Sequence, residues 1–181
     1  MNLKYLWHSI LSVSFFLLIF SFNIGSSAMA FDTTVNHVDL QKYMGKWYVI
    51  AGRLTFLENG AHNATETYTW NEKEKRIDID FQMNKNSFDG ALKRYPQKGW
   101  VVNDKSNATW EISFFWPLKF TYLIIALDPN YEWTVVGVPS ERYFWIMSRT
   151  PKMSKEQLNN IISHVNKLGY DTTEMIFVPH K

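Results

Sequence analysis

The sequence predicts an all-β protein, an eight-stranded antiparallel up-and-down β-barrel with one C-terminal α-helix packed outside. Three observations predict it. Eight short apolar segments follow one another from Trp47 to Arg149, separated by polar turns and with no helical period between them. In the clearest of them Ile77, Ile79 and Phe81 alternate with Arg76, Asp78 and Asp80, and Trp110, Ile112 and Phe114 alternate with Thr109, Glu111 and Ser113, so each strand has one buried and one wet face. After Arg149 the period changes to helical, with Leu158, Ile161, Ile162, Val165 and Leu168 on one face. Closing eight such strands on themselves removes the free sheet edges that an open arrangement would expose.

Residues 1–30 read as a signal peptide: Lys4 is basic, Ile10 to Phe22 is an apolar run, and Ala28-Met29-Ala30 fits a small-x-small cleavage site. The apolar run is short for a membrane span, which needs about 20 residues. Residues 31–181 then form one barrel domain. Phe31 to Leu40 is an exposed lead-in, and Val38 to Tyr43 forms a helical turn before Gly45. The first strand runs from Trp47 to about Arg53, and Leu54 to His62 is a long loop. The second strand is Ala64 to Trp70, with Ala64, Glu66, Tyr68 and Trp70 on one face. A polar turn at 71–75 leads to the third strand, over Ile77 to Phe81. The fourth, Phe88 to Val102, contains Pro96 and Gly99, which predict a bulge or break. The fifth follows the turn at 103–107, and Trp116-Pro117-Leu118 connects it to the sixth, Thr121 to Leu127. Asp128-Pro129-Asn130 turns into the seventh, Glu132 to Val138, and the eighth ends at Arg149. Ser154 to Gln157 reads as a capping box, Gly169 stops the helix, and Met175 to Val178 is a last short strand.

The net charge of +2 is no nucleic-acid footprint. The absence of cysteine rules out disulfides, a thiol nucleophile, a thiolate metal site and the attachment point of a lipoprotein lipid. Histidines 37, 62, 164 and 180 have no metal spacing, no serine sits in a nucleophile elbow, and no glycine loop suits a phosphate, so no metal, cofactor or catalytic residue is expected. Asp78 and Asp80 alternate with isoleucines and face solvent. Aromatic residues make up 17% of the chain, more than a core of this size needs, and some are expected to line a cavity.

Up-and-down topology also fixes which loops share an end. An Arg149 guanidinium stacked on the Trp47 indole would make the first and last strands neighbours and mark the base. The loops at 54–62, 84–87, 116–120 and 139–142 then build the mouth. Phe56, Leu57 and Trp116 lie there, in reach of an acyl chain or a membrane, with Lys85, Lys119 and Arg142 near enough to meet a phosphate. Alternation directs Tyr68, Ile77, Ile79, Phe81, Trp110, Ile112 and Phe114 inward, and parity from Arg149 adds Trp145 and Met147. If the second strand holds its alternation, Glu66 also points into the barrel with a raised pKa.

Gly45-Lys46-Trp47-Tyr48, the Leu127-Asp128-x-x-Tyr131 turn and Trp145 to Pro151 resemble the three ordered sequence signatures of the lipocalins. Val38 to Tyr43, Ser113 to Pro117 and Val136 to Ser140 are most similar to the bacterial branch, which is related to apolipoprotein D and the plant temperature-induced lipocalins. Ala51-Gly52-Arg53 departs from the Ala-Arg usual after the first strand. Gly45, Trp47, Asp128, Tyr131 and Arg149 are on this basis motif residues of the fold. The resemblance implies a non-catalytic carrier of fatty acids or lysophospholipids in outer-membrane maintenance. The signal segment alone predicts that the chain is exported and periplasmic, associated with the outer membrane without a lipid anchor, and the mouth aromatics predict a peripheral membrane contact of a monomer or homodimer. The resemblance also favours Leu123, Ile125 and Leu127 as the inward face of the sixth strand. The expected ligand-binding set is then Tyr68, Ile79, Phe81, Ile112, Phe114, Trp116, Leu123, Ile125, Trp145 and Met147. Two alternatives stay open: a lipocalin-fold enzyme acting on a hydrophobic substrate through Glu66 and Tyr68, and an interaction module with a filled barrel.

Overall fold

The computed structural model describes residues 30–181, so the signal-peptide reading of 1–30 falls, but for Ala30, outside the described residues. Helical turn α1 (Leu40–Tyr43) starts on Asp39, whose carboxylate accepts hydrogen bonds from the Gln41 and Lys42 amides at 3.0 and 3.3 Å. Eight strands follow: β1 (Gly45–Arg53), β2 (Ala61–Asn71), β3 (Arg76–Lys85), β4 (Leu92–Val101), β5 (Thr109–Ser113), β6 (Phe120–Leu127), β7 (Trp133–Gly137) and β8 (Phe144–Ser148). Each pairs antiparallel with the next, and β1 pairs with both β2 and β8, which closes the barrel. A 3₁₀ turn, Phe56–Glu58, sits in the first mouth loop.

Helix α2 (Lys155–Lys167) forms where the period changes. The Ser154 hydroxyl accepts from the Gln157 amide at 3.1 Å, and Gly169 ends the helix at φ +91°. Leu158, Ile161 and Val165 pack with Leu123, Ile125, Val135, Phe144, Ile146 and Tyr170 as a second apolar layer outside the barrel wall. Short strand β9 (Ile176–Phe177) then pairs with β1 at Ala51 and Gly52.

Two expectations are corrected here. Strand β4 runs unbroken through Pro96 and Gly99, in continuous register with β3 from Leu92↔Asn84 to Gly99↔Ile77. Pro96 is tolerated because β5 pairs with β4 only from Lys98 onward, so no partner waits for its missing N–H. Gly99 is fixed by packing: a Cβ there would lie 2.9 Å from Ile112 Cδ1 and 3.3 Å from Ile79 Cδ1. Second, Leu123 and Ile125 face outward, beneath α2, while Tyr122 and Ile124 face the barrel. The cause is a β-bulge between Ile124 and Ala126, which reverses the parity along β6. Leu127, beyond the bulge, packs against the barrel core as expected, but counting back from it gives the wrong face.

Candidate functional site

The two ends of the barrel differ. At the base the Arg149 guanidinium lies 3.6 Å from the Trp47 ring centroid and donates to the carbonyls of Lys42, Tyr43, Lys46 and Tyr131. The Asp39 amide donates to the Tyr131 hydroxyl at 2.8 Å, and Asp128 accepts from the Asn130 and Glu132 amides, so each signature residue has a role in sealing this end. Gly45 holds φ +96°, and a Cβ there would reach to 3.4 Å from the Arg149 guanidinium.

Above this plug Tyr43, Tyr68, Trp110 and Tyr122 form an aromatic floor; Trp110 stacks on Tyr122 with centroids 5.4 Å apart, and Tyr43 meets Tyr68 and Trp110 edge-on. Tyr68, Ile79 and Met147 are buried here, in the lower barrel. Toward the mouth two compartments open between the side chains. One has only about 20 Å³ of interior space and is lined by Leu57, Glu58, Glu66, Phe81, Tyr95, Gln97, Phe114 and Trp145 among others. The other, of about 40 Å³, shares Glu66, Gln97, Phe114 and Trp145 and adds Ile112, Phe120, Tyr122 and Val138, so side chains nearly fill the barrel between the floor and the mouth.

Of the residues expected to touch a ligand, Phe81, Ile112, Phe114 and Trp145 line these compartments. Leu123 and Ile125 stand outside the wall. Trp116 is 78% exposed on the mouth loop and borders an outer groove. Lys85 donates to the Asn59 carbonyl, and Lys119 pairs with Glu111 at 2.7 Å, so both are engaged within the rim. Asp78 and Asp80 stand on the outer face. Partial burial works against their ionisation, but the bonds from Arg76 and Asn71 and from Arg94 and Gln82 hold both below the usual carboxylate range.

Polar groups inside the barrel are few. Glu66 is buried and accepts from the Tyr68 hydroxyl, which is 2.5 Å from the Tyr122 hydroxyl. Burial pushes the Glu66 carboxyl up to about 7, with the Tyr68 hydrogen bond opposing and the Glu58 charge adding. Glu58, from the 3₁₀ turn, accepts from the Thr55 amide at 2.8 Å, the Thr55 hydroxyl at 2.7 Å and Trp145 Nε1 at 2.8 Å. Burial raises its pKa as well, against those same bonds. Glu58, Gln97, Tyr122 and Val138 were absent from the expected set. Thr55-x-x-Glu58 is a capping box legible in the sequence, and Tyr95, Gln97 and Gly99 alternate with Arg94, Pro96 and Lys98, so both polar residues had a signal.

A family model described as a lipocalin-like domain matches residues 38–180. The outer membrane lipoprotein Blc of Citrobacter freundii is 32% identical over 148 residues, covering 81% of this chain and 81% of that one. Blc of Escherichia coli K12 is 31% identical over 146 residues, with the same coverage of both. Insecticyanin of the tobacco hornworm Manduca sexta superposes with a TM-score of 0.65 at 15% identity, over 84% of this chain and 86% of that one.

Proposed function

The chain belongs to the lipocalin family, in its bacterial Blc-like branch, whose members bind small hydrophobic molecules, and from that premise we propose that it carries or stores fatty acids or lysophospholipids in the envelope. The observation that carries this reading is the pair of compartments walled by Phe81, Ile112, Phe114 and Trp145. They lie above a closed base and beneath a rim that exposes Phe56, Leu92, Phe115, Trp116, Leu118 and Phe120. Burying a methylene of the ligand against such walls stabilises the complex by about 0.8 kcal/mol. At about 20 and 40 Å³ the compartments hold no long chain as they stand; one enters by parting these side chains and displacing the Glu58–Trp145 bond, which ties the mouth loop to β8.

The exposed rim supports a peripheral contact with the envelope membrane, through which ligand is exchanged. The leader-like segment at the N-terminus and the similarity to outer membrane lipoproteins support a periplasmic location. Binding without turnover is the expected mode. The experiment that tests the proposal is native mass spectrometry of the protein purified from its own cell envelope, followed by organic extraction. A mass increment resolving into fatty acid or lysophospholipid is expected. A ligand-free protein that also refuses a fluorescent fatty acid sinks the carrier reading and favours a filled interaction module.

A further inference from the structure

The barrel wall is incomplete between β4 and β5. Lys98↔Ser113 is the uppermost pair of these strands. Above it, no backbone hydrogen bond joins residues 92–97 of β4 to the loop at 114–119 among the described residues. The open seam between β1 and β2 is filled by the C-terminal segment, where the Asn63 amide donates to the Pro179 carbonyl at 2.8 Å. No segment fills this one among the described residues. The half-buried ring of Phe114 lies at the slot, edge-on to Phe120 with centroids 6.1 Å apart. Gln97 and Phe114 border both inner compartments and also the outer groove, which holds about 730 Å³. Ligand pockets ordinarily measure about 300–1,000 Å³, so the groove has room for a lipid where the inner spaces have none.

We infer that an acyl chain enters the barrel sideways, through the slot between β4 and the loop at 114–119, with this flank of the mouth against the membrane and Phe114 as the plug that the chain displaces. The inference rests on the carrier reading and names its entrance and its docking face. The lips of the slot are apolar and exposed, Leu92 on β4 and Phe115, Trp116 and Leu118 on the loop. A chain that left a lipid layer and crossed water to the top of the mouth would expose its methylenes, at about 0.8 kcal/mol each. A chain that passes between these lips goes from lipid to Phe114 and Phe120 without that exposure.

The bonds that hold each route closed point the same way. The mouth loop is held by the Thr55 and Trp145 bonds of Glu58, all between 2.7 and 2.8 Å, whereas rings alone hold the slot. The Glu58–Trp145 bond then yields from within, as the chain fills the space between β4 and the opposite wall at β8. The polar end stays in the outer groove, among Thr67, Thr69, Arg94 and Lys98. The slot is also poorly made for adding a strand. Pro96 has no N–H to offer, and the charged Arg94 and Lys98 flank it on the same face of β4.

The test ties the slot shut. The chain has no cysteine, so Pro96→Cys with Phe115→Cys introduces its only thiols, one on each lip. A bis-maleimide with an internal disulfide joins them, and a reductant releases them. Transfer of anthroyloxy-labelled stearic acid from phosphatidylethanolamine–phosphatidylglycerol vesicles to the purified protein is followed by stopped-flow fluorescence. The tied form is expected to take up the probe at least about tenfold more slowly than the released form and than a form capped with N-ethylmaleimide. Phe114→Ala in the natural chain is expected to speed transfer about fivefold, and Phe114→Trp to slow it. Equal rates in the tied and released forms overturn the inference and leave the carrier reading standing, since transfer then runs over the top of the mouth. If the tie does not form, the two Phe114 variants decide, and a rate that ignores the size of that side chain overturns the inference. No uptake by any form, the natural chain included, overturns both.

Discussion

The base and the mouth of this barrel use the same residue types to opposite ends. Tyr43, Trp47 and Trp110 are fully buried at the base, and every indole N–H there has a partner: Trp47 Nε1 donates to the Tyr43 carbonyl at 2.9 Å and Trp110 Nε1 to the Asn107 carbonyl at 2.7 Å. At the mouth Phe56, Phe115 and Trp116 are more than two-thirds exposed, at 76%, 71% and 78%. A large aromatic side chain stabilises the fold only where it leaves water, and it can contact a ligand or a membrane only where it does not. The closed end therefore carries stability, and the open end keeps its apolar surface for other molecules.

This contrast breaks most visibly at Trp47. Trp47→Ala removes the ring beneath Arg149 and opens a cavity against Tyr43, and is expected to cost about 3–5 kcal/mol in denaturant unfolding. Arg149→Met keeps the apolar stem but leaves the carbonyls of Lys42, Lys46 and Tyr131 without the guanidinium, and is expected to cost about 2–4 kcal/mol in the same assay. A loss below about 1 kcal/mol in either variant would show that the base is not the stabilising end.

The region between the two ends is sharpened by pH. The folded Glu66 carboxyl titrates near 7 and its unfolded counterpart near 4.5, so the native state holds the extra proton between these values. Stability is then highest below about 4.5 as far as this group is concerned, and falls by about 3 kcal/mol as pH rises through 7. Glu66→Gln should flatten that part of the stability profile; an unchanged slope would place the responsible proton elsewhere. The smallest effect on folding is expected at the mouth. Trp116→Ala should change stability by less than about 0.5 kcal/mol while lowering co-sedimentation with phospholipid vesicles. Undiminished vesicle binding in a variant lacking both Phe115 and Trp116 would refute the rim contact.

Legibility in the sequence follows the same division. Trp47 and Arg149 could be paired from the sequence because an indole beside a glycine and a guanidinium at the end of a strand have few other uses. The clean alternation of β3 and β5 gave Phe81, Ile112 and Phe114, since water on one face and core on the other leave an unambiguous pattern. Strand β6 has no such contrast: α2 covers its outer face, both faces are apolar, and the bulge after Ile124 erases the count. Leu123 and Ile125 were misplaced for that reason. Gln97 was hidden for a different one. A proline next to it suggested a break, whereas the unpaired edge of β4 at that point lets the strand continue. The polar lining of a cavity is harder to foresee than its apolar walls, because burying such groups runs against the pattern that identifies strands.

The pairing of β1 has a consequence for how the chain is made. Strand β1 bonds to β2 only from Gly45 to Tyr48; above that β9 takes its edge, at Ala51 and Gly52. The Val178 amide donates to the Ile50 carbonyl and the Asn63 amide to the Pro179 carbonyl, so the segment at 176–180 fills the upper seam between the first two strands. The wall thus cannot be completed until its most distant residues have been synthesised. The upper seam therefore stays open while β1 to β8 are made, and it closes only when residues 176–180 can reach it.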